Sequence, residues 1–149
     1  MSLIASPASA SYADTRGLVS VIIPTYHEAD NLQLLVPQIT TALQSWPHEI
    51  IVVDDDSNDE TEKVVSTLSE EGHAVRLIIR TDQRGLSSAV LRGFFEAKGR
   101  VLICMDADLS HPPEVLPRMI GMLAKDQAEF IIGSRYVAGG TTADRKSVV

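Results

Sequence analysis

A chain of 149 residues is one domain's worth and can bury a core, and 44% hydrophobic with 22% charged residues is a globular mix, not a disordered one. Its 13 Lys and Arg against 20 Asp and Glu leave a net charge of −7, which argues against binding nucleic-acid phosphates or an anionic membrane surface and suits a site for a hard cation. The single cysteine, Cys104, excludes a disulfide framework and points to an intracellular, cytoplasmic chain, and no apolar run nears the ~18 residues of a membrane span.

Residues 1–17 are Ser- and Ala-rich at the start, without a basic or long apolar stretch, and read as a flexible tail. Apolar runs then alternate with helix-length segments. Strands are expected at Leu18–Ile23, ended by Pro24, then at Glu49–Val53, Ala74–Arg80, Arg100–Met105 and Glu129–Gly133, since short continuous apolar runs fit strands buried on both faces. Helices are expected between them. Ala29–Gln44 has Asp30 as a cap and Pro37 as the sign of a kink or late start. Asp59–Glu71 carries acids in its first turn, where the helix dipole favours them, with Ser57 or Asp59 as cap. Leu86–Lys98 and Pro112–Lys125 complete the set, the last with proline at its start. Strand and helix alternate throughout, which predicts an α/β fold with a mainly parallel sheet, helices on both faces and right-handed crossovers. The domain is expected over 18–138, with 139–149 closing no element.

Ligands of such sheets bind beyond the carboxyl ends of the strands. The residues there are Pro24-Thr25-Tyr26-His27-Glu28, Asp54-Asp55-Asp56-Ser57-Asn58-Asp59, Thr81-Asp82-Gln83-Arg84-Gly85, Asp106-Ala107-Asp108-Leu109-Ser110-His111 and Ser134-Arg135-Tyr136. Asp106 and Asp108 stand two apart in an extended segment, so both point one way and can share a divalent cation with diphosphate oxygens. They also read as two solvated aspartates ahead of a helix that Ser110 caps. Asp54–Asp56 reads either as an exposed turn or as an acceptor for a nucleobase N–H. Tyr26 can stack on a base and Glu28 can accept from a ribose or base, or the two are a rim aromatic and a helix-start acid. Arg135 offers a planar fork to phosphate, or makes a surface ion pair. The four histidines have no metal spacing, and His111 is a neighbour of the aspartates. The chain has no G-x-x-x-x-G-K-[ST], no G-x-G-x-x-G and no G-x-S-x-G.

Taken together, Ser20–Glu28, Ile51–Ser57, Met105–His111 and Gly133–Tyr136 resemble family 2 glycosyltransferases of the GT-A fold, closest to their polyprenol-phosphate (dolichol-phosphate) mannosyltransferase branch. The resemblance implies a Rossmann-like nucleotide-sugar fold, truncated after Arg135. It implies Pro24, Tyr26 and Glu28 as nucleoside contacts and Val53 with Asp55 as the base-binding pair. It implies Asp106, Asp108 and Ser110 as the site of Mg2+ or Mn2+, and Arg135 as a contact to donor phosphate or sugar. Two departures stand out: His27 replaces an asparagine, and Arg84–Ala89 lacks the second glycine of the family's Gly-Leu-Gly pattern.

The implied reaction is inverting transfer of a sugar from GDP-mannose or a UDP-sugar to a polyprenyl or dolichyl phosphate. Membrane contact would come only through regions beyond this chain. Competing readings are a family 2 enzyme with a hydroxyl acceptor, a phosphoacceptor receiver domain, a phosphohydrolase with Asp106 as nucleophile, and an inactive binding fragment. A receiver needs its acid pair after the first strand and a lysine after the fifth, whereas here the cluster follows the second strand and Arg135 follows the fifth.

Overall fold

The computed structural model describes residues 2–5, 17–125 and 128–133. Its strands are β1 (Ser2–Ala5), β2 (Val19–Thr25), β3 (His48–Asp54), β4 (Val75–Ile79), β5 (Val101–Cys104) and β6 (Phe130–Ile132). Its helices are α1 (Ala29–Ala42), α2 (Thr61–Glu70), α3 (Leu86–Glu96) and α4 (Leu116–Ala124), the last entered through a 3-10 turn at Pro113–Val115. The strands form one sheet in the order β4-β3-β2-β5-β1-β6. β2 to β5 run parallel, and β1 pairs antiparallel with both β5 and β6. The mainly parallel α/β expectation holds.

Runs of Val and Ile make the central strands, because β-branched side chains fit a pleated surface buried on both sides. All seven residues of β2 are buried. Alternation sends Val19, Val21 and Ile23 to one face, where α1, α2 and α4 cover them in the larger core. It sends Ile22, Ile51 and Val53 to the other, where α3 packs through Ala89. Gly93 allows that approach: a Cβ there would lie 2.3 Å from Ile22 Cγ2.

Several sequence expectations are corrected. Ser2–Ala5, assigned above to a tail, is a strand, because the edge of β5 offers unpaired backbone groups that an extended segment can fill. β2 runs through Pro24 and does not stop before it. Ile22 accepts a hydrogen bond from Met105 N at 3.1 Å, so Ile22 and Pro24 turn their backbone groups toward β5. The ladder to β5 ends at Ile22–Cys104, so the N–H that proline lacks is needed by no strand residue. On its other side Pro24 stays in register with Val53. Pro37 lies inside α1 without ending or delaying it. The carbonyl it leaves unpaired belongs to exposed Gln33, where water can replace the donor. Asp30 sits within the first turn of α1 and is not its cap. At α2 it is Asp59 Oδ1 that accepts from Thr61 N at 2.9 Å, while Ser57 turns to Asp54.

Candidate functional site

The carboxyl ends of β2, β3, β4 and β5 lie along one edge. β2 is followed in the sheet by β3 and β4 on one side and by β5 on the other, so the order reverses there and a crevice opens between β2 and β5. The loops at that edge hold every described non-glycine residue with positive φ: His27 (57°), Asp56 (57°), Asn58 (52°) and Leu109 (60°). Backbone in this region costs energy and persists where surroundings impose it, commonly at functional sites.

The acidic cluster after β3 divides its work by face. Asp54 is buried and accepts from Thr25 Oγ1 (3.1 Å), from Ser57 N (2.8 Å) and from Ser57 Oγ, which locks the β2 and β3 loops together. Ser57 Oγ in turn accepts from His27 N at 2.9 Å. Asp55 turns to the α3 side. Its Oδ1 receives the Arg80 guanidinium, through Nε at 2.7 Å and through Nη2, and its Oδ2 accepts from Gly85 N at 2.8 Å. Arg80 also donates to Gly85 O at 3.0 Å and Ser88 Oγ at 2.9 Å. Gly85 holds φ at 121°, outside what a side chain tolerates, and its loop thereby delivers the start of α3 to Asp55. A carboxylate has about four acceptor positions, and three of those on Asp55 are used, so Oδ2 can still accept one N–H.

Tyr26 is 50% exposed at the crevice rim, 4.1 Å between ring centroids from His27, with the Arg84 guanidinium 5.6 Å from its ring centre. Glu28 accepts from Asn31 Nδ2. His27 Nδ1 lies 3.9 Å from Asp59 Oδ2. Burial raises the Asp59 carboxyl pKa, but hydrogen bonds from Thr61 and the charge of His27 outweigh it and hold the group below the usual range. Val53 is fully buried in the core beneath α3, so its side chain presents no surface to a ligand.

After β5 the chain brings Asp106, Asp108 and His111 together, each offering one ligand atom within 4.8 Å of the others. Asp106 is exposed, with Oδ2 4.0 Å from His111 Nδ1. Asp108 Oδ1 accepts from Ser110 N at 3.0 Å, and Ser110 Oγ stands 3.3 Å from His111 Nδ1. Two carboxylates and an imidazole converging at a crevice mouth are a donor set that fits a divalent cation. The nearby Cys104 thiol is pushed up to about 11 by burial and then by the Asp106 charge, so at neutral pH it supplies no thiolate.

The structure thus places Pro24, Tyr26 and Glu28 on the β2 end, Val53 and Asp55 on the β3 end, and Asp106, Asp108 and Ser110 on the β5 end. Arg135 lies outside the described residues. Sequence reading missed Arg80 and left His111 as a bystander of the aspartates, whereas Gly85, which opens α3 and offers its N–H to the Asp55 carboxylate, stands where Gly85–Ser88 reads as a helix start with N–H groups for an anion. The signal for Arg80 was a charged residue closing an apolar strand, which must find a partner if buried.

The family model described as "Glycosyl transferase family 2" matches residues 20–148. The chain belongs to glycosyl transferase family 2. Family 2 membership removes the receiver and phosphohydrolase readings. Among family 2 relatives, the dolichol-phosphate mannosyltransferase of Pyrococcus furiosus is 54% identical over 122 residues, 82% of this chain and 34% of that protein. The dolichol-phosphate mannosyltransferase of Saccharomyces cerevisiae is 47% identical over 123 residues, 80% of this chain and 45% of that protein. The chain therefore spans between a third and a half of the curated relatives it matches. A mannosyltransferase from Pyrobaculum calidifontis, solved in complex with GDP-Man and Mn2+, superposes with a TM-score of 0.59 at 29% identity, over 75% of this chain and 32% of that one. Glucosyl-3-phosphoglycerate synthase from Mycobacterium tuberculosis shares the fold, with a TM-score of 0.61 at 21% identity, over 72% of this chain and 40% of that one. Among the described residues no helix is long and apolar enough to cross a membrane.

Proposed function

We propose that this chain is the donor-binding region of a metal-dependent, inverting glycosyltransferase. The donor is a GDP- or UDP-sugar, with GDP-mannose first, and the acceptor is a polyprenyl or dolichyl phosphate at the cytoplasmic face of a membrane. The observation that carries this is the convergence of Asp106 and Asp108 at the β2–β5 crevice. It occurs in a chain 54% identical to a dolichol-phosphate mannosyltransferase. The Pyrobaculum neighbour's GDP-Man and Mn2+ support the choice of donor and cation.

In this reading Tyr26 stacks on the base, Glu28 accepts from the nucleoside, and Asp55 takes the base N–H with its remaining acceptor position. Pro24 and Val53, paired in register, hold the strand ends beneath them. Asp106 and Asp108 hold Mg2+ or Mn2+, with Ser110 beside them. When bound, the cation neutralises charge developing on the leaving diphosphate. Arg135 contacts the donor's phosphate or sugar. A lipid phosphate is already an anion near neutral pH, so the chain needs no strong general base beside the aspartates.

Calorimetry with GDP and UDP, each with and without Mn2+, tests the reading. Binding of one nucleotide is expected only with the cation, and Asp108→Ala is expected to weaken it at least tenfold, the scale of about 1.4 kcal/mol. Equal binding without metal would sink it.

A further inference from the structure

His111 is the part of the edge that the nucleotide reading leaves unused. It follows Leu109, whose φ of 60° folds the chain back on itself. The Ser110 N–H bond to Asp108 Oδ1 fastens that fold, and the ring of His111 comes to rest 4.0 Å from Asp106 Oδ2, with its side chain 20% exposed. Two ligands on opposite sides of one cation are separated by at most about 4.2 Å, twice a bond of roughly 2.1 Å, so 4.0 Å is a spacing one ion can bridge. A non-glycine residue in the left-handed region is an unfavourable way to build a loop, and this one's effect is to bring an imidazole to two carboxylates.

The geometry points to His111 as a cation ligand that biases the site away from Mg2+ and toward a first-row transition ion such as Mn2+. This rests on the reading of Asp106 and Asp108 as cation ligands and adds to it the selectivity of the same site. Mg2+ is a hard ion that takes oxygen donors and keeps much of its water. A nitrogen donor contributes little to it. Transition ions accept imidazole, and affinity for mixed nitrogen and oxygen sites rises from Mn2+ along the series. Carboxylates suit Mg2+ and Mn2+ alike, and the third, nitrogen donor favours the transition ion.

The test is electron spin-echo spectroscopy of Mn2+ bound to the whole chain, prepared once with natural histidine and once with 15N-histidine. A directly bound imidazole gives a 14N modulation that changes to the 15N pattern on labelling and disappears in His111→Gln. In parallel, Mg2+ is titrated against bound Mn2+. In His111→Gln the preference for Mn2+ over Mg2+ is expected to fall at least about tenfold, the scale on which even outer-shell partners act, with Mg2+ affinity nearly unchanged. Mn2+ bound without histidine modulation would overturn the role of His111 and leave the donor-binding reading standing. No Mn2+ bound at all would overturn both.

Discussion

Removing the Arg80 guanidinium would leave the Asp55 carboxylate buried with Gly85 N as its one remaining described donor. An uncompensated buried charge is far costlier than the loss of a surface pair, so Arg80→Met is expected to lower stability by about 3–5 kcal/mol in urea melts. Asp55→Leu combined with Arg80→Met is expected to recover much of that, because the charge left behind is then gone. If the single variant is as stable as the parent, the pair does not organise the site as described. Asp106 and Asp108 were legible in the sequence because their spacing alone aligns two carboxylates. The partnership of Asp55 with Arg80 was not, since 25 residues separate them and only the pairing of β3 with β4 brings them together. His111 was hidden for another reason: its position depends on the left-handed turn at Leu109, and leucine gives no hint of one.

At the scale of elements, α3 is held to β2 by an absent side chain. Alanine is ordinarily better than glycine inside a helix by about 1 kcal/mol. At Gly93 the added methyl would meet Ile22, itself fully buried, so Gly93→Ala is expected to destabilise by about 1–3 kcal/mol, as overpacking does. A rise in the thermal midpoint would contradict the packing described. Glu49 ties three strands and the loop before β5. It accepts from Ser20 Oγ at 2.6 Å and Lys98 N at 2.7 Å, and Arg76 Nε lies 3.5 Å away. Burial raises its pKa, but those hydrogen bonds and the Arg76 charge outweigh it and hold the carboxyl below its usual value. The unfolded chain therefore binds the proton first on acidification. The Glu49 contribution is complete above the ordinary value of 4.5 and is lost as pH falls through the lowered folded value. Glu49→Gln is expected to cost about 1–3 kcal/mol at neutral pH and to flatten the fall in stability with acid, read from urea midpoints across that window. Apolar runs of Val and Ile made the strands legible, whereas their exact ends were not. Pro24 reads as a stop, and only the neighbour strand's early end lets β2 continue through it.

Across the whole molecule the sheet is covered unequally. Among the described residues three helices pack on one face and α3 alone on the other, with Leu86, Leu91 and Phe95 exposed along it. The strand order was only partly legible, because β1 is four residues without a periodic pattern and exists through pairing with β5 and β6. What alternation of strand and helix did fix is the parallel direction of β2 to β5, and with it the edge at which the site lies. Nuclear magnetic resonance with Mn2+ and GDP tests that placement most directly, since the ion broadens nearby amides and the nucleotide shifts its contacts. Broadening is expected to be confined to residues near Asp106–His111 and the facing β2 end, with metal-dependent shifts at Tyr26, Glu28 and Asp55. Broadening centred instead on the acidic surface of α2, around Glu60, Glu62 and Glu70, with no nucleotide shifts at the strand ends, would contradict it.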